Sequence, residues 1–187
     1  MHAQGEELPQ DLAETRRRYG LAAAQGDAEA QAELGTMHYL GLGGLEDLAE
    51  ARRLLGLAAA KGHAGAQYTL GKMHHLGDGG PEDFAEARRL YGLAAAQGDA
   101  EAQCMCGGMH HAGQGGPVDL AEARRLFGLA AEQCHTLAQL LLGNMLKQGI
   151  GGPQDLAEAW RLLGLAAAQG NADAQAKLGR MHYDGDG

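Results

Sequence analysis

Pro81–Gly116 reads PEDFAEARRLYGLAAAQGDAEAQCMCGGMHHAGQGG, and the rest of the 187-residue chain is this stretch written again with local changes. Asp11, Asp47, Asp83, Asp119 and Asp155 recur at a constant interval of 36 residues, as do Gly35, Gly71, Gly107, Gly143 and Gly179, and Met37, Met73, Met109, Met145 and Met181. No insertion interrupts any of the three series. Self-similarity at a fixed period of roughly 20 to 50 residues is the signature of a repeat array, whose units bury their apolar faces against one another.

Each unit opens on Asp followed three residues later by Glu, as in Asp47/Glu50 and Asp83/Glu86. The spacing predicts a helix A whose Asp accepts a first-turn N–H and whose Glu reaches back to the cap. Pro81, Pro117 and Pro153 stiffen the approach two residues earlier, outside the helix. Helix A is expected to stop at Gly26, Gly62, Gly98 and Gly170 in the left-handed conformation that ends helices. Cys134 stands at the fourth stop, so that corner is expected to close differently.

Asp27, His63, Asp99, His135 and Asn171 follow the stop and suit the cap of a second helix, B. Helix B runs out in Gly-x-Gly-Gly, which supplies the positive-φ positions of a reversing loop. Glycine-rich phosphate cradles follow a strand, not a helix, and no Gly-Lys-Ser/Thr occurs, so these glycines read as structural. Asp184-Gly185-Asp186-Gly187 reads as a further copy of the loop rather than a calcium site.

The predicted fold class is therefore all-α, an α/α solenoid of five 36-residue helix-turn-helix repeats. The units fall near 9–44, 45–80, 81–116, 117–152 and 153–187 of one array spanning 1–187. Residues 1–8 read as the tail of a preceding unit or a leader. Met1-His2 is in phase with Met37-His38, and the chain reads as a piece of a longer array. Arg18 replaces the leucine of Leu54, Leu90, Leu126 and Leu162, as expected where no earlier repeat packs.

The formal charge of −9 disfavours nucleic acid and anionic membrane surfaces as partners, because both reward a basic face. No apolar run approaches the roughly 18 residues of a membrane span, so no direct membrane insertion is expected. Cys104, Cys106 and Cys134 are odd in number and confined to two repeats, which reads as mostly buried thiols in a reducing compartment rather than a secreted disulfide framework.

Ala22-Ala23, Gln25-Gly26, Ala30-Gln31, Leu34-Gly35, Gly41 and Gly43, repeated through all five units, resemble the Sel1-like repeat, a branch of the tetratricopeptide-like superhelices. The resemblance implies a right-handed superhelix that gathers protein partners into a complex without catalysis. The chain departs from the pattern at His38, His74, His110 and His182, where the family usually has an aromatic residue, and it lacks the paired cysteines of the disulfide-stapled members.

Nothing resembles an active site. Serine is absent, and the cysteines have no helical histidine at a useful spacing. No enzyme, cofactor or resident metal is expected. The histidine column leaves one alternative, a metal- or ligand-binding module. His74-His75 and His110-His111 diverge by about 100° on a helix, however, so any ion would need ligands from two repeats.

Helix A carries the informative columns. With Leu48 at zero, Ala51, Leu55, Ala58 and Ala59 share its core face, and Leu57 lies opposite at about 180°. Leu21, Leu57, Leu93, Leu129 and Leu165 repeat there, bordered by Arg17, Arg53, Arg89, Arg125 and Arg161. In the family resembled, the A helices line the concave side, which makes these ten residues the candidate partner-binding site. The expected partner is a peptide or helix with apolar and acidic residues. Two alternatives stay open: each leucine packs against the neighbouring A helix while Arg53 pairs with Glu50, or the array is a structural subunit of a large assembly, membrane-associated or organellar, that uses other faces. Mid-helix Gly20, Gly56, Gly92, Gly128 and Gly164 each cost about 1 kcal/mol relative to Ala, so a close approach is expected there, by a neighbouring helix in preference to a ligand.

Overall fold

The structure, a computed structural model, describes residues 7–184. Among them are ten helices and no strand: α1 (Glu7–Ala24), α2 (Ala28–Leu40), α3 (Leu48–Ala60), α4 (Ala64–Leu76), α5 (Phe84–Ala96), α6 (Ala100–Ala112), α7 (Leu120–Glu132), α8 (Thr136–Gln148), α9 (Leu156–Ala168) and α10 (Ala172–Asp184). Odd helices are the predicted A helices and even ones the B helices. The glycine copy at 185–187 lies outside the described residues.

The caps explain the boundaries. Asp47 Oδ1 accepts from Glu50 N at 3.0 Å, and Asp83, Asp119 and Asp155 do the same in their repeats. Asp11 does not cap: α1 begins four residues earlier, at Glu7. The B helices are capped as expected, by Asp27 Oδ1 on Ala30 N at 2.7 Å, His63 Nδ1 on Ala66 N at 3.1 Å and Asn171 Oδ1 on Ala174 N at 2.9 Å. A histidine can do this only through an unprotonated Nδ1. His63 and His135 present the opposite nitrogen to Glu29 and Glu101, at 2.9 and 2.8 Å.

The fourth corner corrects its expectation. Cys134 adopts the same left-handed turn as the glycines, at φ 62°, and is the described non-glycine residue that does so. Its amide and that of His135 close the usual bonds to Ala131 O and Ala130 O. The corner keeps its geometry at the strain of a Cβ in that region, about 1–2 kcal/mol.

The chain divides into two compact units, Met1–Ala94 and Ala95–Gly187. In the first, α2 packs on α1 and α3, and α3 on α4; in the second, α6 packs on α7, α7 on α8, α8 on α9 and α9 on α10. The core of the first unit gathers Ala51, Leu55, Ala58, Leu70, Met73 and Leu90, and that of the second Phe127, Ala130, Leu140, Met145, Leu163 and Met181. Burial of each large side chain contributes about 1.5–3 kcal/mol.

Two devices hold B to the A helices around it. A Cβ added at Gly35 would lie 2.8 Å from Leu55 Cγ, at Gly71 3.0 Å from Tyr91 Cδ1, at Gly107 3.0 Å from Phe127 Cδ1 and at Gly143 2.9 Å from Leu163 Cγ. The B-helix glycine is thus the hollow into which the next A helix sets a large buried side chain. The second device is polar. Gln31, Gln67, Gln103 and Gln139 are buried, and each donates from Nε2 to a carbonyl at the end of its own A helix: Ala23, Ala59, Ala95 and Ala131. Oε1 of Gln31, Gln103 and Gln139 accepts from the following repeat, from Lys61 Nζ at 3.2 Å, Gln133 Nε2 at 2.9 Å and Gln169 Nε2 at 2.9 Å.

Candidate protein-binding face

With Ala51, Leu54, Leu55, Ala58 and Ala59 buried, the opposite face of each A helix is turned outward. Leu21 is 57% exposed, and Leu57, Leu93 and Leu165 are 40–41% exposed; Leu129 is half-buried. The leucine line is therefore not an interior seam between A helices. Leu54, by contrast, is buried against Leu34 and Ala30 of the preceding B helix, which widens the core arc on one side only.

The arginines beside the leucines are exposed and paired. Arg53 donates Nε and Nη2 to the two oxygens of Glu50 at 2.7 and 2.6 Å, and Arg17/Glu14, Arg89/Glu86, Arg125/Glu122 and Arg161/Glu158 repeat the same side-on geometry. The glutamate expected to reach back to the cap turns forward to the arginine instead. The arginine bond holds the Glu50, Glu86, Glu122 and Glu158 carboxyls below their ordinary range. Glu14, bonded by both Arg17 and Arg18, is held at about 2. The face thus presents ion pairs flanking leucines rather than a row of free cations, with each arginine side chain more than half exposed.

The mid-helix glycines overturn their expectation. Nothing lies within 4 Å of where a Cβ would stand at Gly20, Gly56, Gly92, Gly128 or Gly164. No neighbouring helix approaches them. One turn on, Ala24, Ala60, Ala96 and Ala168 are exposed as well, so a smooth strip of small residues runs beside the leucines in those helices.

The histidine column is engaged elsewhere. Arg16 Nη2 lies 2.7 Å from His38 Nδ1 and Arg52 Nη2 lies 2.8 Å from His74 Nδ1, while Arg16 Nη1 also donates to Leu45 O at 3.2 Å in the glycine loop. An arginine can only donate, so both rings accept and are neutral at that nitrogen. Burial, then the arginine charge, pushes both imidazoles below the ordinary histidine value. Where the fourth repeat has Leu146, Arg124 turns to Pro153 O at 2.9 Å; where the fifth has Trp160 in place of arginine, that ring meets His182 edge-on at 4.5 Å. This latch was missed in the sequence, although the two columns sit a constant 22 residues apart. Among the described residues no three His, Cys, Asp or Glu side chains converge as metal ligands. Cys104 and Cys106 are buried, and burial pushes the Cys104 thiol up to about 12; Cys134 is exposed.

Ten helices paired A with B at a constant period, among the described residues, define a helical-repeat fold. The Sel1 repeat matches residues 1–27, 28–63, 64–99, 100–133, 136–171 and 172–187, and the chain belongs to the Sel1 repeat family. From the second onward these matches start on helix B, half a unit out of phase with the Asp-initiated division, but keep its period. The chain is similar to a protective antigen of uropathogenic Escherichia coli strains displaying an SLR fold (36% identity, TM-score 0.87, covering 91% of this chain and 36% of that one). It is also similar to a Sel1 repeat protein from Oxalobacter formigenes (30% identity, TM-score 0.78, covering 89% and 66%). The chain therefore spans about a third and just under two thirds of the lengths of these two proteins. No curated protein matches it. Sel1 repeat proteins are in general protein-binding scaffolds and typically non-catalytic. No described helix is long and apolar enough to cross a membrane.

Proposed function

We propose that this chain is a scaffold that helps assemble a multiprotein complex by holding a peptide or helix against the outer face of its A helices, the side that the Sel1 architecture makes concave. The observation that carries the reading is the exposure of Leu21, Leu57, Leu93 and Leu165 at one position of the first, second, third and fifth repeats, on helices whose cores are already filled. Large side chains left outward at a repeating position beside open glycines favour a partner that brings apolar groups to the leucines and its backbone close to the glycines. Acidic residues on the partner suit the exposed guanidinium groups of Arg17, Arg53, Arg89, Arg125 and Arg161, with modest gain, since each arginine already holds a glutamate. A second reading, assembly through other faces, draws on Leu40, Leu42, Leu45 and Leu76, exposed around the glycine loops.

The test is a Leu57→Gln/Leu93→Gln double variant compared with the wild type by affinity capture and crosslinking mass spectrometry. The expected result is unchanged helicity and melting with loss of captured partner, and wild-type crosslinks mapping to α1, α3, α5, α7 or α9. A stable variant that retains its partner, or one that unfolds, refutes the assignment.

A further inference from the structure

The glycine loops after α2 and α4 carry large apolar side chains turned away from the core. Leu45 is 89% exposed, and Leu40 and Leu76, at the last positions of α2 and α4, are each more than half exposed. The exposure belongs to the repeat frame: Ala112 and Gln148 are exposed at the position of Leu40 and Leu76, and Pro81, Pro117 and Pro153 at that of Leu45. What changes is the residue, since the first loop has a leucine where the others have the proline that stiffens them. Each loop closes on itself, Asp47 N donating to His38 O at 3.0 Å and Asp83 N to His74 O at 2.8 Å. Closure brings Leu45 beside Leu40, with Glu46 N 3.4 Å from the place of a Cβ at Gly41. The two loops are also neighbours, because Tyr39 Oη, next to Leu40, donates to Asp78 Oδ2, two residues past Leu76, at 2.8 Å. The charge of this edge is one-sided. Residues 40–47 and 76–83 hold Glu46, Asp47, Asp78, Glu82 and Asp83 and no lysine or arginine, and all of these but Asp78 are exposed. The cations that reach the edge are engaged within it: Arg16 donates to Leu42 O and Leu45 O and meets His38, Arg52 meets His74, and Lys72 Nζ stands 5.6 Å over the Tyr39 ring.

We infer that this edge is a docking site for a basic amphipathic helix of a partner protein. The site rests on the reading of assembly through other faces and not on the A-helix leucines. Charge selects a basic partner: exposed carboxylates around three leucines repel an acidic segment or an anionic membrane surface and draw lysine or arginine to the rim. Spacing selects a helix. The helices α2 and α4 touch, and packed helices stand about 8–10 Å apart, so their repeat-equivalent ends, Leu40 and Leu76, are offset by about that distance. Two turns of an α-helix advance about 11 Å. Apolar residues at i and i+7 of the visitor therefore reach Leu40 and Leu76, and the one at i+3 or i+4 enters the gap between them. Lysine or arginine on its flanks then meets Glu46 and Glu82. A second copy of the chain suits the site poorly, because the exposed arginines of its A helices each already hold a glutamate.

The test is fluorescence anisotropy of the full chain with a labelled model helix that carries leucine at i, i+3 and i+7 and lysine on its flanks. Two controls accompany it, one with glutamate in place of lysine and one with the same residues shuffled out of helical register. The lysine helix is expected to bind about tenfold or more tightly than either control, and to weaken as salt is raised. Leu40→Gln/Leu76→Gln and, separately, Glu46→Lys/Glu82→Lys are each expected to weaken it by about tenfold with helicity unchanged, since all four side chains are exposed and the capping aspartates stay. Leu57→Gln/Leu93→Gln is expected to bind like the wild type. Equal binding of the shuffled helix, binding indifferent to the Leu40/Leu76 pair, or no binding overturns the assignment. Loss confined to Leu57→Gln/Leu93→Gln moves the helix to the A-helix face and overturns it as well. Tighter binding of the glutamate helix, still lost in Leu40→Gln/Leu76→Gln, keeps assembly through this edge but overturns the basic partner. A concentration-dependent dimer that dissolves on Leu40→Gln/Leu76→Gln makes a second copy the occupant and overturns the choice of partner. The two faces are scored by different residues, so the two readings fail separately.

Discussion

Gly71→Ala and Gly92→Ala make the same chemical change in adjacent repeats, and the structure requires opposite results. Both positions are inside helices, where alanine is better than glycine by about 0.8–1 kcal/mol. At Gly92 nothing stands within 4 Å of the new methyl, so the full gain is expected. At Gly71 the methyl would lie 3.0 and 3.1 Å from Tyr91 Cδ1 and Cε1 and 3.3 Å from Leu90 Cβ. Tyr91 is fully buried and cannot swing aside, so overpacking costs about 1–3 kcal/mol and cancels or exceeds the gain. The two variants should therefore differ by about 1–3 kcal/mol. In a chain of this size that is a separation of roughly 2–12 °C in melting midpoint. Urea unfolding followed by circular dichroism supplies the companion measurement, because long arrays lose two-state behaviour on heating. A destabilised Gly92→Ala would mean that part of the protein itself packs there, and the open column beside the leucines would be wrong. A stabilised Gly71→Ala would show that the B-helix hollow has room to spare.

Cys134→Gly should raise stability by about 1 kcal/mol in chemical denaturation, because glycine takes the left-handed corner without strain. Gln103→Leu should lower it by about 1–3 kcal/mol, since Ala95 O loses the buried donor that satisfies it. His38 and His74 have folded pKa values below the unfolded one, so their contribution is complete above about pH 6.5 and is lost as pH falls through the depressed folded values. Melting midpoints should fall between about pH 7 and 5, and His74→Leu, the residue the fourth repeat uses, should flatten that slope. Glu50, Glu86, Glu122 and Glu158 are also depressed, so a second loss is expected below about pH 4.5, weakened by added salt because the pairs are exposed.

Much of the fold was legible because the information is local and repeated. Asp47 and Asp27 cap the helices they precede, and the apolar positions of helix A fall on one face at helical spacing. The sites were less legible, for identifiable reasons. A helical wheel puts Leu57 opposite the core but cannot tell solvent from a neighbouring helix; three-dimensional placement of α3 decides that. Glycine is ambiguous in the same way: Gly71 and Gly92 look alike in sequence, yet one holds Tyr91 and the other faces open space. The Arg52/His74 contact joins two columns that each had a sufficient local explanation, as helix surface and as aromatic replacement. Glu50 had two partners within reach, the cap amide and Arg53, and spacing alone does not rank a bidentate guanidinium above a backbone N–H.

The glutamine at each rung has a consequence for how such a chain changes over generations. Its amide binds backward to its own helix and forward to a lysine or glutamine that every following unit can supply, so the joint does not record which unit comes next. A segment of one full period, duplicated or excised by unequal recombination, would arrive with a compatible fitting at both ends and leave no unmatched polar group behind. Slippage by any other length would strand the amide in a dry interior. Selection for solubility alone would then preserve the period, and the reach of the binding surface could be lengthened or shortened in whole units without inventing a new interface.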